Sequence, residues 1–143
     1  MSTTMNKNDI YAVYEEVRSD STDTNWAVFK FNGPEIVLDS TGTDYAEFKS
    51  KFSDDERLFG YVRIYTGDEL SRRAKFVLVA WVGPNVGALK KAKMSTDKAV
   101  IKEVIQNFAI ELMPHEAHEL DEEELREACI KAGGANYGTG VRG

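Results

Sequence analysis

The chain has 143 residues, with 18 Lys and Arg against 24 Asp and Glu, a formal charge of −6; this length predicts one domain able to bury about 70% of its unfolded surface without disulfides or a structural metal. Hydrophobic residues at 42% and charged residues at 29% exclude a disordered chain, and the longest apolar run, 76–82, falls far short of the roughly 18 residues of a membrane span. A lone Cys129, a polar start without an apolar signal core and an acidic total predict a cytoplasmic protein with no internal disulfide and no general affinity for nucleic acid.

In chain order, a first helix is expected over residues 8–19, with Asn8 as its N-cap and Ile10, Val13, Tyr14 and Val17 as its apolar stripe. Residues 25–31 read as a strand, closed by the turn Asn32-Gly33-Pro34 and followed by a short strand over 35–38, together a hairpin. Asp44 is placed to cap a short helix over 45–51 that buries Phe48 and Phe52. Residues 57–65 alternate as a strand with apolar side chains on both sides, so helices are expected on both faces of its sheet. Thr66-Gly67-Asp68 turns the chain into the strongest strand, 73–82, whose unbroken apolar run marks a central position.

A long helix is expected from 85 to about 106, with Ser95-Thr96-Asp97 as the place where it kinks or restarts. Residues 108–113 read as an edge strand ended by Pro114, and a last helix over 122–132 is expected to stop at Gly133-Gly134. This order gives an α/β sandwich: one mixed sheet of four to six strands with helices on both faces.

No catalytic constellation is present. Gly138-Thr139-Gly140-Val141-Arg142-Gly143 fits the spelling of a dinucleotide fingerprint, but such a site needs a helix after the glycines to receive the pyrophosphate. A Gly-rich tail is the expectation there. His115 and His118 lack a third metal ligand and read as a solvated loop. Cys129 has no base beside it and reads as a small packed side chain. No metal or cofactor is called for.

Charge is where the sequence is uneven. Residues 63–102 hold nine basic side chains (Arg63, Arg72, Arg73, Lys75, Lys90, Lys91, Lys93, Lys98, Lys102) against three acidic ones, +6 in all, which leaves −12 for the remainder. Residues 119–127 form the opposite pole, with six acids and only Arg126 opposing them. Arg73 and Lys75 are two apart on one side of the central strand, and Arg72 precedes them at its tip. Lys91, Lys98 and Lys102 fall near one line if their helix is continuous. A charge run alone reads as a solvated face; strand-tip cations beside a buried run point to docking on an acidic macromolecular surface.

The runs 57–63 (RLFGYVR), Thr66-Gly67-Asp68, 71–81 (SRRAKFVLVAW), 98–109 (KAVIKEVIQNFA) and 131–137 (KAGGANY), in this order of elements, closely resemble the actin-depolymerising factor homology (ADF-H) family over nearly the whole chain. The resemblance implies a single ADF-H domain over 1–137, its mixed sheet of five or six strands sandwiched by helices, with a flexible Gly-rich tail over 138–143. It also implies an actin-filament-binding protein of the cytoskeleton, without enzymatic activity. Family members use two surfaces. One is the long helix with the N-terminal segment, which maps to Lys90, Lys91, Lys93, Met94 and Lys98, with Lys102 on the same line. The other is a basic-x-basic pair on the central strand, matched by Arg73 and Lys75 with Arg72 beside them, plus Glu123, Glu124, Arg126 and Lys131 near the last helix.

The members this chain follows most nearly prefer filaments to monomers and interfere with capping. Where cofilins carry Tyr-Ala-Ser-Ser-Lys in the long helix, this chain has Met94-Ser95-Thr96-Asp97-Lys98, and Ser2-Thr3-Thr4 replaces their Ser-Gly-Val start. Both departures point away from severing, strong monomer binding and control by phosphorylation at that Ser. The alternatives are a cofilin-like severing factor, or a module that binds acidic phosphoinositides with the same basic patch.

Overall fold

The computed structural model describes residues 2–67, 70 and 72–138, with side chains described to residue 133. The chain runs β1 (Thr4–Met5), α1 (Lys7–Arg18), β2 (Trp26–Asn32), β3 (Glu35–Gly42), α2 (Tyr45–Ser50), β4 (Arg57–Thr66), β5 (Arg73–Val82), α3 (Ala88–Ile101), β6 (Ile110–Leu112), a 3-10 turn (Ala117–Leu120) and α4 (Glu122–Gly138). One six-stranded sheet has the order β1-β3-β2-β4-β5-β6. Its inner pairs are antiparallel, and the two edge strands β1 and β6 run parallel to their neighbours.

The side-chain period of two divides the core into two layers. Leu78 and Ala80 of β5 join Phe59 and Tyr61 of β4, Ile10, Tyr14 and Val17 of α1, and Met94 and Ile101 of α3. On the other face Val77, Val79 and Trp81 meet Phe48 of α2 with Leu125 and Cys129 of α4. Helices therefore cover both faces, as the two-sided apolar strands required. Gly60 lets α2 sit close: a Cβ there would lie 2.8 Å from the rings of Phe48 and Phe52. Gly33 holds φ 61° in the β2–β3 turn, a conformation side chains other than Gly rarely adopt.

Several local expectations are corrected. Asn6, not Asn8, caps α1, its side-chain oxygen accepting from the Asp9 backbone N–H at 3.2 Å. The two-residue β1 and the 3-10 turn were not foreseen, being too short to carry a period. Strand β3 runs on to Gly42 rather than stopping near Leu38. Asp44 occupies the N-cap position of α2, but its side chain makes no cap hydrogen bond.

Helix α3 passes unbroken through Ser95-Thr96-Asp97, because the Asp97 carboxylate bonds Arg57 and Thr3 instead of competing for the helix backbone. It ends at Ile101 rather than near Gln106, where the Glu103 and Val104 N–H groups switch to carbonyls three residues back. At the other end of the chain, α4 continues through Gly133-Gly134 to Gly138. Glycine weakens a helix interior by about 1 kcal/mol without forbidding it. The proposed domain limit at 137 thus falls within a helix, and the tail over 139–143 lies outside the described residues.

Candidate functional site

The strand-tip cations stand where their register places them. Arg73 pairs with Thr66 and Lys75 with Ile64 across the β4–β5 ladder. Both share the side of β5 that carries Val77 and Val79 toward α4. Arg72 and Arg73 are exposed and Lys75 is half-buried. The Arg72 guanidinium lies 3.8 Å from the centre of the Tyr65 ring, a cation–π contact at the strand end.

From α4, the Arg126 Nε donates to the Tyr65 carbonyl at 2.8 Å, and its other nitrogens pair with Glu122 and Glu123. Arg126 thereby fastens the start of α4 to the end of β4, and its charge is largely spent on two acids of its own helix. Burial pushes the Cys129 thiol up from its ordinary pKa, opposed by the positive charges of Lys75 and Arg126. Lys75 is thus electrostatically coupled to α4. Lys131 is exposed on the same helix beside Ile130, which is also exposed. Glu124 borders a small cleft with Leu112, Met113 and Ala128, next to β6.

The lysines of α3 belong to the other layer. Lys90 and Lys91 are exposed in its first turn, and Lys93 is half-buried. Met94 is fully buried in the core between α3 and the sheet. This corrects its expected place on the binding surface: it faces inward on the line that includes Ile101, one heptad on, and anchors the helix. Lys98 and Lys102 converge on Glu111 of β6 at 2.6 and 2.7 Å. Burial raises the Glu111 pKa, but the hydrogen bonds and charges of Lys102 and Lys98 outweigh it and hold the carboxyl below its ordinary range. These two lysines share one carboxylate; they lock α3 to the sheet edge.

Arg63 leaves the basic surface altogether. Its side chain is buried, donating to the carbonyls of Val17 at 2.6 Å and Ser19 at 2.8 Å, where it closes the C-terminal end of α1. The +6 window is therefore dispersed by the fold. Arg63 is interior, Arg73 and Lys75 sit on the α4 side of the sheet, Arg72 lies over Tyr65 on the opposite face at the strand tip, Lys98 and Lys102 are held by Glu111, and Lys90, Lys91 and Lys93 belong to the first half of α3. The two exposed clusters are not neighbours on one surface.

Sequence reasoning passed over Leu89, which is 85% exposed at the start of α3 between the lysines and Gly87. The signal was available. Five residues separate Leu89 from buried Met94, about 140° around the helix, so Leu89 lies far from the buried line. An apolar side chain ringed by cations has the form of an interface anchor. The pair Arg57–Asp97 was also missed: it is almost wholly buried, with Thr3 donating to Asp97 and the Arg57 guanidinium 3.9 Å from the Phe31 ring centre. That cluster ties the N-terminal segment, α3 and β4 together.

Among the described residues, no group of three or more His, Cys, Asp and Glu side chains is placed to hold a metal ion, and no helix is long and apolar enough to cross a membrane.

Comparison with known proteins places this architecture. Residues 2–130 match the family described as cofilin/tropomyosin-type actin-binding protein. The chain is 44% identical over 137 residues to the coactosin-like protein of Rattus norvegicus, covering 96% of each. A crystal structure of human coactosin-like protein superposes with a TM-score of 0.88 at 41% identity, over 91% of this chain and 99% of that one. The solution structure of mouse coactosin, described as an actin filament binding protein, gives a TM-score of 0.79 at 43% identity, over 97% and 98%.

Proposed function

This chain belongs to the family of cofilin/tropomyosin-type actin-binding proteins, and on that premise we propose that it binds filamentous actin as coactosins do, through two surfaces, and catalyses no reaction. The observation that carries the reading is the exposed Arg73 beside half-buried Lys75 at the tip of β5. A chain of net charge −6 meets an acidic filament favourably only by presenting such a patch. Lys131 of α4 and Arg72 enlarge this first surface. Leu89 with Lys90, Lys91 and Lys93 forms the second, at the start of α3. Lys98 and Lys102 act by holding α3 in place through Glu111, and Arg126 with Glu123 by holding α4. Glu124 stays at the rim.

The test is co-sedimentation with filaments beside a monomer-binding assay. Pelleting without monomer sequestration supports the coactosin reading, and strong monomer binding supports a cofilin-like one. Lys75→Ala should weaken pelleting by ~1–3 kcal/mol, the range for a central desolvated cation. Unchanged pelleting of the folded variant would remove Lys75 from the site. Interference with capping is part of the proposal; filament-end elongation with capping protein, with and without this chain, measures it. The proposal includes a cytoplasmic location on the actin cytoskeleton.

A second reading rests on Leu89, an exposed apolar side chain among lysines, which suits an acidic phosphoinositide membrane. Flotation with liposomes that contain or lack the acidic lipid separates it from actin binding.

A further inference from the structure

The outer edge of β3 is open. Strand β1 covers only Glu35 and Ile36 of its eight residues, after which the chain turns at Asn6 into α1. Residues 37–42, all but Asp39, pair with β2 on their inner side, and no described strand pairs with their outer side. Beside this edge lies a groove of about 450 Å³ between α1 and β3, with Asp9, Ile10, Ala12 and Val13 on one wall and Ile36 and Leu38 on the other. Leu38 is 40% exposed. An added strand would take up the line that β1 abandons, over roughly 20 Å at about 3.3 Å per residue.

We propose that this edge and groove dock an extended segment of another protein in which apolar residues alternate with Lys or Arg. The alternation follows from the two faces of β3. Leu38 is in register with Phe29, whose side chain lies in the α1 layer, so apolar residues of the docked strand on that face enter the groove beside Val13 and Leu38. On the opposite face stand Glu35 and Asp39, with Asp9 at the groove's rim. Lys30 answers part of that charge, 3.9 Å from Asp39 and 3.3 Å from Glu56. A basic partner is therefore favoured.

Asp39 also decides against a second copy of this chain. Two β3 edges brought together over their open residues would bring the two Asp39 carboxylates near one another, and like charges close across a strand pair are destabilising. The register shift in β2–β3 at Val28/Phe29, with Asp39 as the extra residue, falls within the open edge. It confines the first contacts to Val37 and Leu38, the residues that the groove flanks.

The probe is a fluorescein-labelled peptide, Lys-Val-Arg-Val-Lys-Val-Thr, followed by anisotropy and by backbone amide NMR shifts on the full chain. Binding is expected to perturb residues 37–42 and 9–13. Methylating alternate backbone nitrogens of the peptide leaves its side chains but removes strand pairing, and should weaken binding at least about ten-fold, as should Leu38→Lys. Leu38 is already partly exposed, so this variant should fold; Glu35→Lys, at a strand end, gives a second reading through charge alone.

Failure to bind overturns the proposal, as does equal binding of the methylated peptide or shifts centred on the acidic start of α4. A dimer in sedimentation equilibrium that is abolished by Leu38→Lys would also overturn it, by assigning the edge to a second copy. None of these readouts contains actin, so the outcome is independent of the filament reading.

Discussion

At the scale of single residues, the charges that look alike in the sequence have different employment. Arg57–Asp97 is an interior pair, and removing one partner strands the other charge away from water. Asp97→Ala should cost ~3–5 kcal/mol in urea unfolding. Glu111 contributes differently. Its carboxyl is held below its ordinary range, so the stability it supplies is present above the unfolded value of about 4.3 and is lost as pH falls through the folded one. The melting-temperature gap between the parent chain and Glu111→Gln should therefore be widest at neutral pH and close toward pH 3.

Such assignments were only partly legible. Arg73 and Lys75 could be read because strand alternation fixes direction. Arg63 could not, since nothing local states that it reaches the carbonyls of Val17 and Ser19, 46 and 44 residues away. Met94 looked like a surface residue because a family motif placed it there, whereas helical period alone puts it with Ile101 in the core.

At the scale of elements, the sequence states which segments are strands or helices better than where they end. The boundaries of β5 were recovered in full, since Gly83 and the Thr66–Gly67 turn punctuate the chain. Helix α3 was overrun because residues 102–105 keep an apolar pattern after the helix has ended; Val104 and Ile105 remain in the core from a turn. Glycine misled in the opposite direction at Gly133. A Cβ at Gly133 meets no atom within 4 Å, so Gly133→Ala should stabilise α4 by ~0.5–1 kcal/mol, read as a raised urea midpoint. Gly60→Ala should do the reverse. Its Cβ would strike the Phe48 and Phe52 rings, and overpacking of this kind costs ~1–3 kcal/mol.

On the scale of the whole molecule, the composition describes an acidic body, and the fold determines which charges meet a partner. Part of the basic window is spent inside: Arg63 on helix carbonyls, Lys98 and Lys102 on Glu111. What remains exposed is set on both sides of one sheet. Binding carried by these residues should fall with rising salt, because exposed charges are screened over ~8 Å at physiological ionic strength. Filament pelleting between low and moderate salt checks this, and the Lys75→Ala variant should show a shallower dependence.

The placement of the two cationic clusters in separate layers bears on avidity. A partner that touches one layer gains one modest contact and can leave easily. A lattice that offers an acidic site to each layer converts the second contact into an intramolecular event, with an effective concentration set by the rigid sheet between them. Discrimination between a polymer and its free subunit then needs no strong contact at either patch; it comes from geometry, and losing either patch would forfeit most of the gain.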